Sequence, residues 1–98
     1  MKILLCCLAG VTSNMFAAKL KDEAAKKGLD VVVWASANTA IEYSIDQADI
    51  VLVTPQLRSE LHKIEDLAPS EVPVLLISDE EFTTFDASGV LEEALKLK

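Results

Sequence analysis

The chain has 98 residues, of which 51% are hydrophobic and 26% are charged, and this composition predicts one globular domain over residues 1–98. Its formal net charge at pH 7 is −7, which argues against nucleic acid or an anionic membrane surface as a partner, because both would repel the chain. Every hydrophobic run is shorter than the roughly 20 residues of a membrane-spanning helix, so we expect no direct membrane insertion.

The first element is a strand that ends at a cysteine. Residues 3–6 form a continuous apolar run, typical of a strand buried on both faces of a parallel sheet, and Cys7 follows where the strand ends. The next seven residues are mostly small or polar, and Gly10 tolerates a positive φ, so their backbone N–H groups can turn toward a bound anion. The candidate anion-binding loop consists of Leu8, Ala9, Gly10, Val11, Thr12, Ser13 and Asn14.

Cys7 is the candidate nucleophile. The thiolate is the reactive form of cysteine, and a helix N-terminus lowers the pKa of a thiol from about 8.5 into a range of roughly 3.5 to 7.5. Thr12, Ser13 or Asn14 can cap the helix after the loop, which would direct its positive end at Cys7. The alternative is a buried, inert thiol, and we expect that state for Cys6, inside the apolar run.

The cysteines and the start of the chain predict a cytoplasmic protein. Adjacent cysteines cannot cross-link a small fold, so we expect free thiols in a reducing compartment. Residues 1–8 follow a strand pattern and not that of a secretory leader.

Strands and helices alternate along the rest of the chain. This alternation is typical of an α/β domain with helices on both faces of a parallel sheet. We expect four parallel strands in the order 2-1-3-4. After the first strand we expect a helix over 14–27, which Gly28 ends, and then a strand over 29–35. A short helix is expected to follow, from a cap at Ser36, Asn38 or Thr39 to about Ile45. The remaining elements are a strand over 49–53, a helix over 57–67, a strand over 72–78, a polar connection over 79–89 and a closing helix over 90–97.

Two segments carry a resemblance to a known family. Residues 7–14 have the pattern C-x-x-G-[apolar]-[ST]-[ST]-x, and residues 48–57 have the pattern A-D-[apolar]4-T-P-Q-[apolar]. Both resemble segments of the IIB components of the bacterial sugar phosphotransferase system, in its lactose/cellobiose (chitobiose) branch. Residues 82–89 are a looser match to the branch's aromatic-Gly-x-x-Asp-Gly run. Chain length and element order agree with the branch throughout.

The resemblance implies a phosphotransferase that relays a phosphoryl group. A phosphohistidine on a IIA partner protein would pass the group to Cys7, and Cys7 would pass it to a sugar held by the membrane-embedded IIC permease. The sugar would be similar to cellobiose, lactose or chitobiose, and its identity is not implied. The protein would be cytoplasmic, would associate with IIC and would need no cofactor. Cys6, Cys7 and His62 lie at no zinc spacing, so no metal is expected.

The resemblance also implies roles for individual residues. The loop amides would bind the phosphoryl group, and the hydroxyl groups of Thr12 and Ser13 would be additional donors. Thr54 and Gln56 would approach from the end of the neighbouring strand. The sequence departs from the branch at three positions, namely Val11 for a common methionine, Asn14 for serine or threonine, and Thr83 for glycine.

A low-molecular-weight tyrosine phosphatase is one competing interpretation. Such an enzyme needs a C-x5-R loop whose arginine binds phosphate bidentately. Here Ser13 stands six positions after Cys7, and Arg58 is the chain's one arginine. We therefore set the phosphatase aside.

A non-catalytic, acidic interaction domain is the other alternative. Residues 79–81 and 92–93 are acidic clusters that suit a basic partner, although such clusters are usually solvated faces. His62 is expected on the surface of a helix, and Trp34 is expected to pack within the fold.

Overall fold

A computed structural model describes the backbone of residues 1–7, 11–37 and 39–97 and, outside residues 11–13, their side chains. In this part of the chain one sheet is formed by β1 (Lys2–Cys7), β2 (Val32–Ala37), β3 (Ile50–Val53) and β4 (Val74–Leu76). The strand order is β2-β1-β3-β4 and all three pairings are parallel. The predicted parallel sheet with the order 2-1-3-4 is confirmed.

Burial follows the position of each strand in the sheet. All of β3, and all of β1 after Lys2, is buried, as expected for central strands covered on both faces. The edge strands β2 and β4 are mostly half-buried. The continuous apolar runs of the sequence are therefore the two central strands, and β1 carries Cys7 to the carboxyl edge of the sheet.

Helices cover both faces of the sheet, which confirms the predicted three-layer α/β architecture. The α-helices are α1 (Val11–Lys26), α2 (Leu61–Leu67), α3 (Asp79–Thr83) and α4 (Ala87–Lys96), and 3-10 helices span Ile41–Tyr43, Ile45–Gln47 and Pro55–Glu60. Among the helices in the described ranges, none has both the length and the apolar character that a bilayer crossing requires.

Alternate strand residues face opposite sides of the sheet. One side, here called the α1 face, packs Ile3, Leu5, Ile50 and Leu52 against α1, α3 and α4. The other side, the α2 face, packs Leu4, Cys6, Val51 and Val53 against α2 and the 3-10 helices. This two-residue period places Cys6 and Cys7 on opposite faces.

The start of α1 differs from the prediction, and its end agrees with it. The helix begins at Val11, so Thr12, Ser13 and Asn14 lie in its first turn, and the prediction that one of them is the N-cap was wrong. Small and polar residues suit a first turn as well as a cap, so their composition could not locate the start. The helix ends before Gly28, which has a φ of 71°.

The connection between β2 and β3 also differs from the prediction. Ser36 lies within β2 and the first 3-10 helix follows Ala40, so neither Ser36 nor Thr39 caps a helix, while Asn38 lies outside the described residues. Pairing of β2 with β1 continues as far as Ala37 opposite Cys7, and this pairing outweighs the capping tendency of Ser36. The predicted single helix over about 36–45 was therefore wrong.

Several other boundaries move. The predicted strands over 29–35 and 72–78 are found at Val32–Ala37 and Val74–Leu76, and the helix over 57–67 is divided into a 3-10 helix and α2. The polar connection over 79–89 instead contains α3 and the start of α4. Ser78 begins α3 with a capping box, because its Oγ accepts the Glu81 N–H at 3.1 Å while Glu81 Oε1 accepts the Ser78 N–H at 3.2 Å. The prediction overlooked this Ser-x-x-Glu signal.

Candidate functional site

Cys7 lies at the carboxyl end of β1, between the ends of β2 and β3. Its Sγ donates a hydrogen bond to the Ser36 carbonyl oxygen on β2, at 3.5 Å. Sequence reasoning did not find this contact, because it depends on the pairing of two strands and not on a local pattern. A thiol can donate to this carbonyl oxygen, whereas a thiolate cannot, so the contact is available only to the protonated form of the residue.

The helix that follows Cys7 begins after a very short loop. Only three residues separate Cys7, the last residue of β1, from Val11, so the Cα atoms of Cys7 and Val11 are at most about 14 Å apart. The first four N–H groups of a helix have no intrahelical acceptor, and in α1 they belong to Val11, Thr12, Ser13 and Asn14. The positive end of α1 is therefore joined directly to the loop after the cysteine.

The predicted loop is only partly described. Leu8, Ala9 and Gly10 lie outside the described residues, so the proposed direction of their amides stays a prediction. Val11, Thr12 and Ser13 are described as helical backbone, and the side chain of Asn14 is exposed. The predicted roles of the Thr12 and Ser13 hydroxyl groups likewise stay predictions.

Cys7 is more buried than the sequence suggested. Its exposed fraction is 3%, because its side chain lies on a covered sheet face. A nucleophilic cysteine is usually partly accessible, and nothing in the sequence predicts this degree of burial. The sulfur must be uncovered before another molecule can reach it.

Cys6 has a different environment from its neighbour. It is fully buried among apolar side chains of the α2 face, so its predicted core position is confirmed. Burial, and to a lesser extent the adjacent Cys7, raises the pKa of the Cys6 thiol from 9.0 to about 12. At neutral pH this thiol is protonated and unreactive.

Thr54 follows the last residue of β3, the strand that pairs with β1. Its N–H donates to the Cys6 carbonyl oxygen at 3.1 Å, which extends the pairing of β1 and β3 by one residue. The side chain has no exposed surface, and its Oγ1 has no hydrogen-bond partner among the described residues. Pro55 is also buried, whereas Gln56 is exposed in the 3-10 helix that follows.

Other polar residues near the carboxyl edge have structural partners. Arg58 Nη1 lies 2.9 Å from Asp79 Oδ2, and both side chains are largely exposed.

In residues 1–7, 11–37 and 39–97, no group of three or more His, Cys, Asp or Glu side chains is arranged to hold a metal ion.

The two further residues that the sequence singled out have the predicted surroundings. Trp34 packs on the α2 face and its Nε1–H donates to Ser44 Oγ at 3.3 Å. His62 is exposed on α2, with Nδ1 3.6 Å from Glu65 Oε1. Both residues are distant from Cys7 in the sequence and lie on the opposite face of the sheet. The candidate site is therefore limited to the ends of β1 and β3 and the start of α1.

Comparison with known proteins identifies relatives of the chain. A family model described as the lactose/cellobiose-specific IIB subunit of the phosphotransferase system (PTS) matches residues 2–93. The chain is 32% identical over 99 residues to the PTS oligo-beta-mannoside-specific EIIB component of Bacillus subtilis (strain 168), covering 98% of this chain and 94% of the relative.

Solved structures agree with the family match. The lactose-specific IIB component domain of Streptococcus pneumoniae superimposes with a TM-score of 0.86 at 20% identity, covering 98% of this chain and 95% of that one. The cellobiose-specific IIB component of Borrelia burgdorferi gives a TM-score of 0.80 at 28% identity, covering 99% and 90%. The extent of the family match and the identity to the Bacillus relative together show that the chain belongs to the lactose/cellobiose-specific IIB family of the phosphotransferase system.

Proposed function

We propose that the chain is the phosphoryl carrier of a sugar phosphotransferase system and that Cys7 carries the phosphoryl group. The observation that supports this most directly is the place of Cys7, at the end of a central strand and separated by three residues from the first residue of α1. In open α/β sheets ligands bind outside the carboxyl ends of the strands, and a helix N-terminus favours an anion there.

The proposed reaction has two transfers. In the first, the thiolate of Cys7 attacks the phosphorus of a IIA phosphohistidine, so that an S–P bond forms and the P–N bond breaks. The electron pair of that bond returns to the imidazole, and the proton lost by the thiol is matched by the proton that the imidazole gains. In the second, a sugar hydroxyl attacks the phosphorus, an O–P bond replaces the S–P bond, and the hydroxyl proton is matched by the proton that the thiolate regains.

The contribution of the protein to such a transfer is positioning and charge stabilisation. The N–H groups of the first turn of α1, from Val11 to Asn14, have no acceptor within the helix and would donate to phosphoryl oxygens. The amides of residues 8–10 and the hydroxyl groups of Thr12 and Ser13 complete the proposed site, and Gln56 approaches from the end of β3. Because Cys7 is 3% exposed, the complex with each partner must also uncover its sulfur.

The proposed partners are a IIA phosphohistidine protein and a IIC permease. The relatives are named for oligo-beta-mannoside, lactose and cellobiose. We therefore place the sugar in the lactose/cellobiose class, delivered by IIC at a membrane to which this chain is recruited.

Phosphorylation of purified variants tests the proposal. The protein is incubated with phosphoenolpyruvate, the general phosphotransferase proteins and a IIA protein of the lactose/cellobiose branch, and its mass is measured. Wild type and Cys6→Ala are expected to gain one phosphoryl group, whereas Cys7→Ala is expected to gain none. Alanine is used because a serine could itself be phosphorylated. Equal phosphorylation of Cys7→Ala and wild type would contradict the assignment.

A further inference from the structure

The geometry points to Thr54 as a hydrogen-bond donor reserved for the charged states of Cys7. We propose that its hydroxyl donates to the thiolate sulfur before transfer and to a phosphoryl oxygen after it. This inference rests on the proposed function and adds to it a specific donor outside the cysteine loop.

The strand register places the two side chains together. Residues 3–6 of β1 pair with residues 50–53 of β3, and the Thr54 N–H continues the same ladder by donating to the Cys6 carbonyl oxygen. Ile50 and Leu52 lie on the α1 face with Ile3 and Leu5, so the two-residue period places Thr54 on that face with Cys7. Neighbouring strands are about 4.8 Å apart, which is within reach of a hydrogen bond between adjacent side chains.

The hydroxyl group of Thr54 is buried at a cost. It is the one polar residue among the buried side chains of the described ranges, and its Oγ1 has no partner there. Leaving a buried hydroxyl without a hydrogen bond is unfavourable, and valine would fill the same volume without that penalty. A threonine at such a position is explained if the partner of its hydroxyl exists only during the reaction.

The contact that Cys7 makes at rest supports this interpretation. Its Sγ donates to the Ser36 carbonyl oxygen at 3.5 Å, which requires the thiol proton. Once that proton is lost, the sulfur faces a carbonyl oxygen that it can no longer bind and needs a donor instead. Thr54, on the other neighbouring strand and the same sheet face, supplies that donor. When Cys7 ionises, its sulfur therefore loses the Ser36 carbonyl oxygen as a hydrogen-bond acceptor and gains the Thr54 hydroxyl as a donor.

Matched substitutions at Thr54 test the inference. Thr54→Val removes the hydroxyl and keeps the side-chain shape, and Thr54→Ser keeps the hydroxyl. We expect Thr54→Val to raise the melting temperature by about 4 °C or more, since it removes an unsatisfied buried group. We expect it also to lower kcat for phosphorylation of Cys7 about tenfold or more, because a hydrogen bond to a charged group is lost. The KM for IIA should be unchanged, since Thr54 is buried and does not contact the partner.

Thr54→Ser is expected to keep kcat within about threefold of wild type, because its hydroxyl can still donate. Opposite changes in stability and kcat separate the proposed role from a structural one, which would lower both together. Two results would overturn the inference. One is a Thr54→Val variant with wild-type kcat, and the other is a fall in its melting temperature, which would show that the hydroxyl has a structural partner.

The outcome is separable from that of the proposed function. If wild type and Cys7→Ala are phosphorylated equally, the carrier assignment fails whatever the Thr54 variants do. If wild type is phosphorylated on Cys7 and Thr54→Val is phosphorylated at the same rate, only the role of Thr54 fails.

Discussion

The two faces of the sheet give the adjacent residues Cys6 and Cys7 different surroundings. Cys6 faces α2 and is enclosed by apolar side chains, and burial raises the pKa of its thiol to about 12. Cys7, the next residue, faces α1, its Sγ donates to the Ser36 carbonyl oxygen, and the buried Thr54 follows the last residue of the neighbouring β3. The α2 face therefore keeps its cysteine inert, whereas the α1 face surrounds its cysteine with hydrogen-bonding groups and the N-terminus of a helix.

This difference shows that burial alone does not distinguish the two cysteines. The exposed fractions of Cys6 and Cys7 are 0% and 3%, so the two residues are almost equally covered. The polar groups that each sulfur can contact are what distinguish them. A one-residue shift in the pairing of β1 would exchange the two cysteines between the faces.

Alkylation should give the largest contrast between the faces. With iodoacetamide under native conditions at pH 8, we expect Cys7 to react about 1,000-fold or more faster than Cys6. Cys6 is fully buried in the apolar core of the α2 face, so we expect it to be exposed only when the whole domain unfolds, whereas Cys7 at the end of β1 can be exposed by a local opening. Mass spectrometry of the digested protein measures both rates. The two single variants, Cys6→Ala and Cys7→Ala, provide the controls, and similar rates for the two cysteines would refute the contrast.

The central strands and the place of Cys7 could be predicted because they follow from local patterns. The apolar runs that became β1 and β3 are continuous, with Lys2 before the first and Asp49 and Thr54 on either side of the second. Gly28 also has a local signal, since the end of α1 requires a positive φ that glycine adopts freely. In each of these cases the sequence near the feature is sufficient to determine it.

The contacts of the site could not be predicted because they depend on pairing between distant segments. Ser36 is 29 residues from Cys7, and it accepts from Sγ only because β2 continues to Ala37. The sequence suggested a helix cap at Ser36, which is a local preference that strand pairing overrode. The capping box of Ser78 and Glu81 is a different case, because its local Ser-x-x-Glu pattern is visible in the sequence and was overlooked.

The pH dependence of stability should reveal the inert thiol of the α2 face. Between pH 9 and about 12 the unfolded chain loses the Cys6 proton while the folded chain keeps it. The contribution of the buried Cys6 thiol to the free energy of unfolding is therefore complete below pH 9. It is lost as the pH rises toward 12, at about 1.4 kcal/mol per pH unit.

Urea unfolding of wild type and Cys6→Ala at pH 8, 9, 10 and 11 isolates this effect, because other titrating groups are common to both proteins. The stability advantage of wild type should shrink steadily above pH 9. An advantage that stays constant up to pH 11 would show that the folded-state pKa of Cys6 is not raised.

The smallest predicted effect concerns how α1 is supported. Phe16, in the second turn of α1, lies with its ring centroid 5.4 Å from that of Phe82 and 6.2 Å from that of Phe85. Phe16→Leu should cost about 1–2 kcal/mol in unfolding free energy, because an aromatic pair contributes about 0.5–1.5 kcal/mol beyond its buried area. Ile64→Val on the α2 face should lower the unfolding free energy by about 0.5–1.5 kcal/mol, and it serves as the matched control.

The two substitutions should differ in their effect on phosphoryl transfer. Phe16→Leu loosens the helix whose N-terminus meets the Cys7 loop, and small displacements at a reacting centre lower rates strongly, so we expect its kcat for phosphorylation of Cys7 to fall about threefold or more. Ile64→Val, at comparable stability, should leave kcat at the wild-type value, because it lies behind the other face of the sheet. If both variants lost activity equally, the effect would follow stability alone, and the α1 face would have no special role in positioning the site.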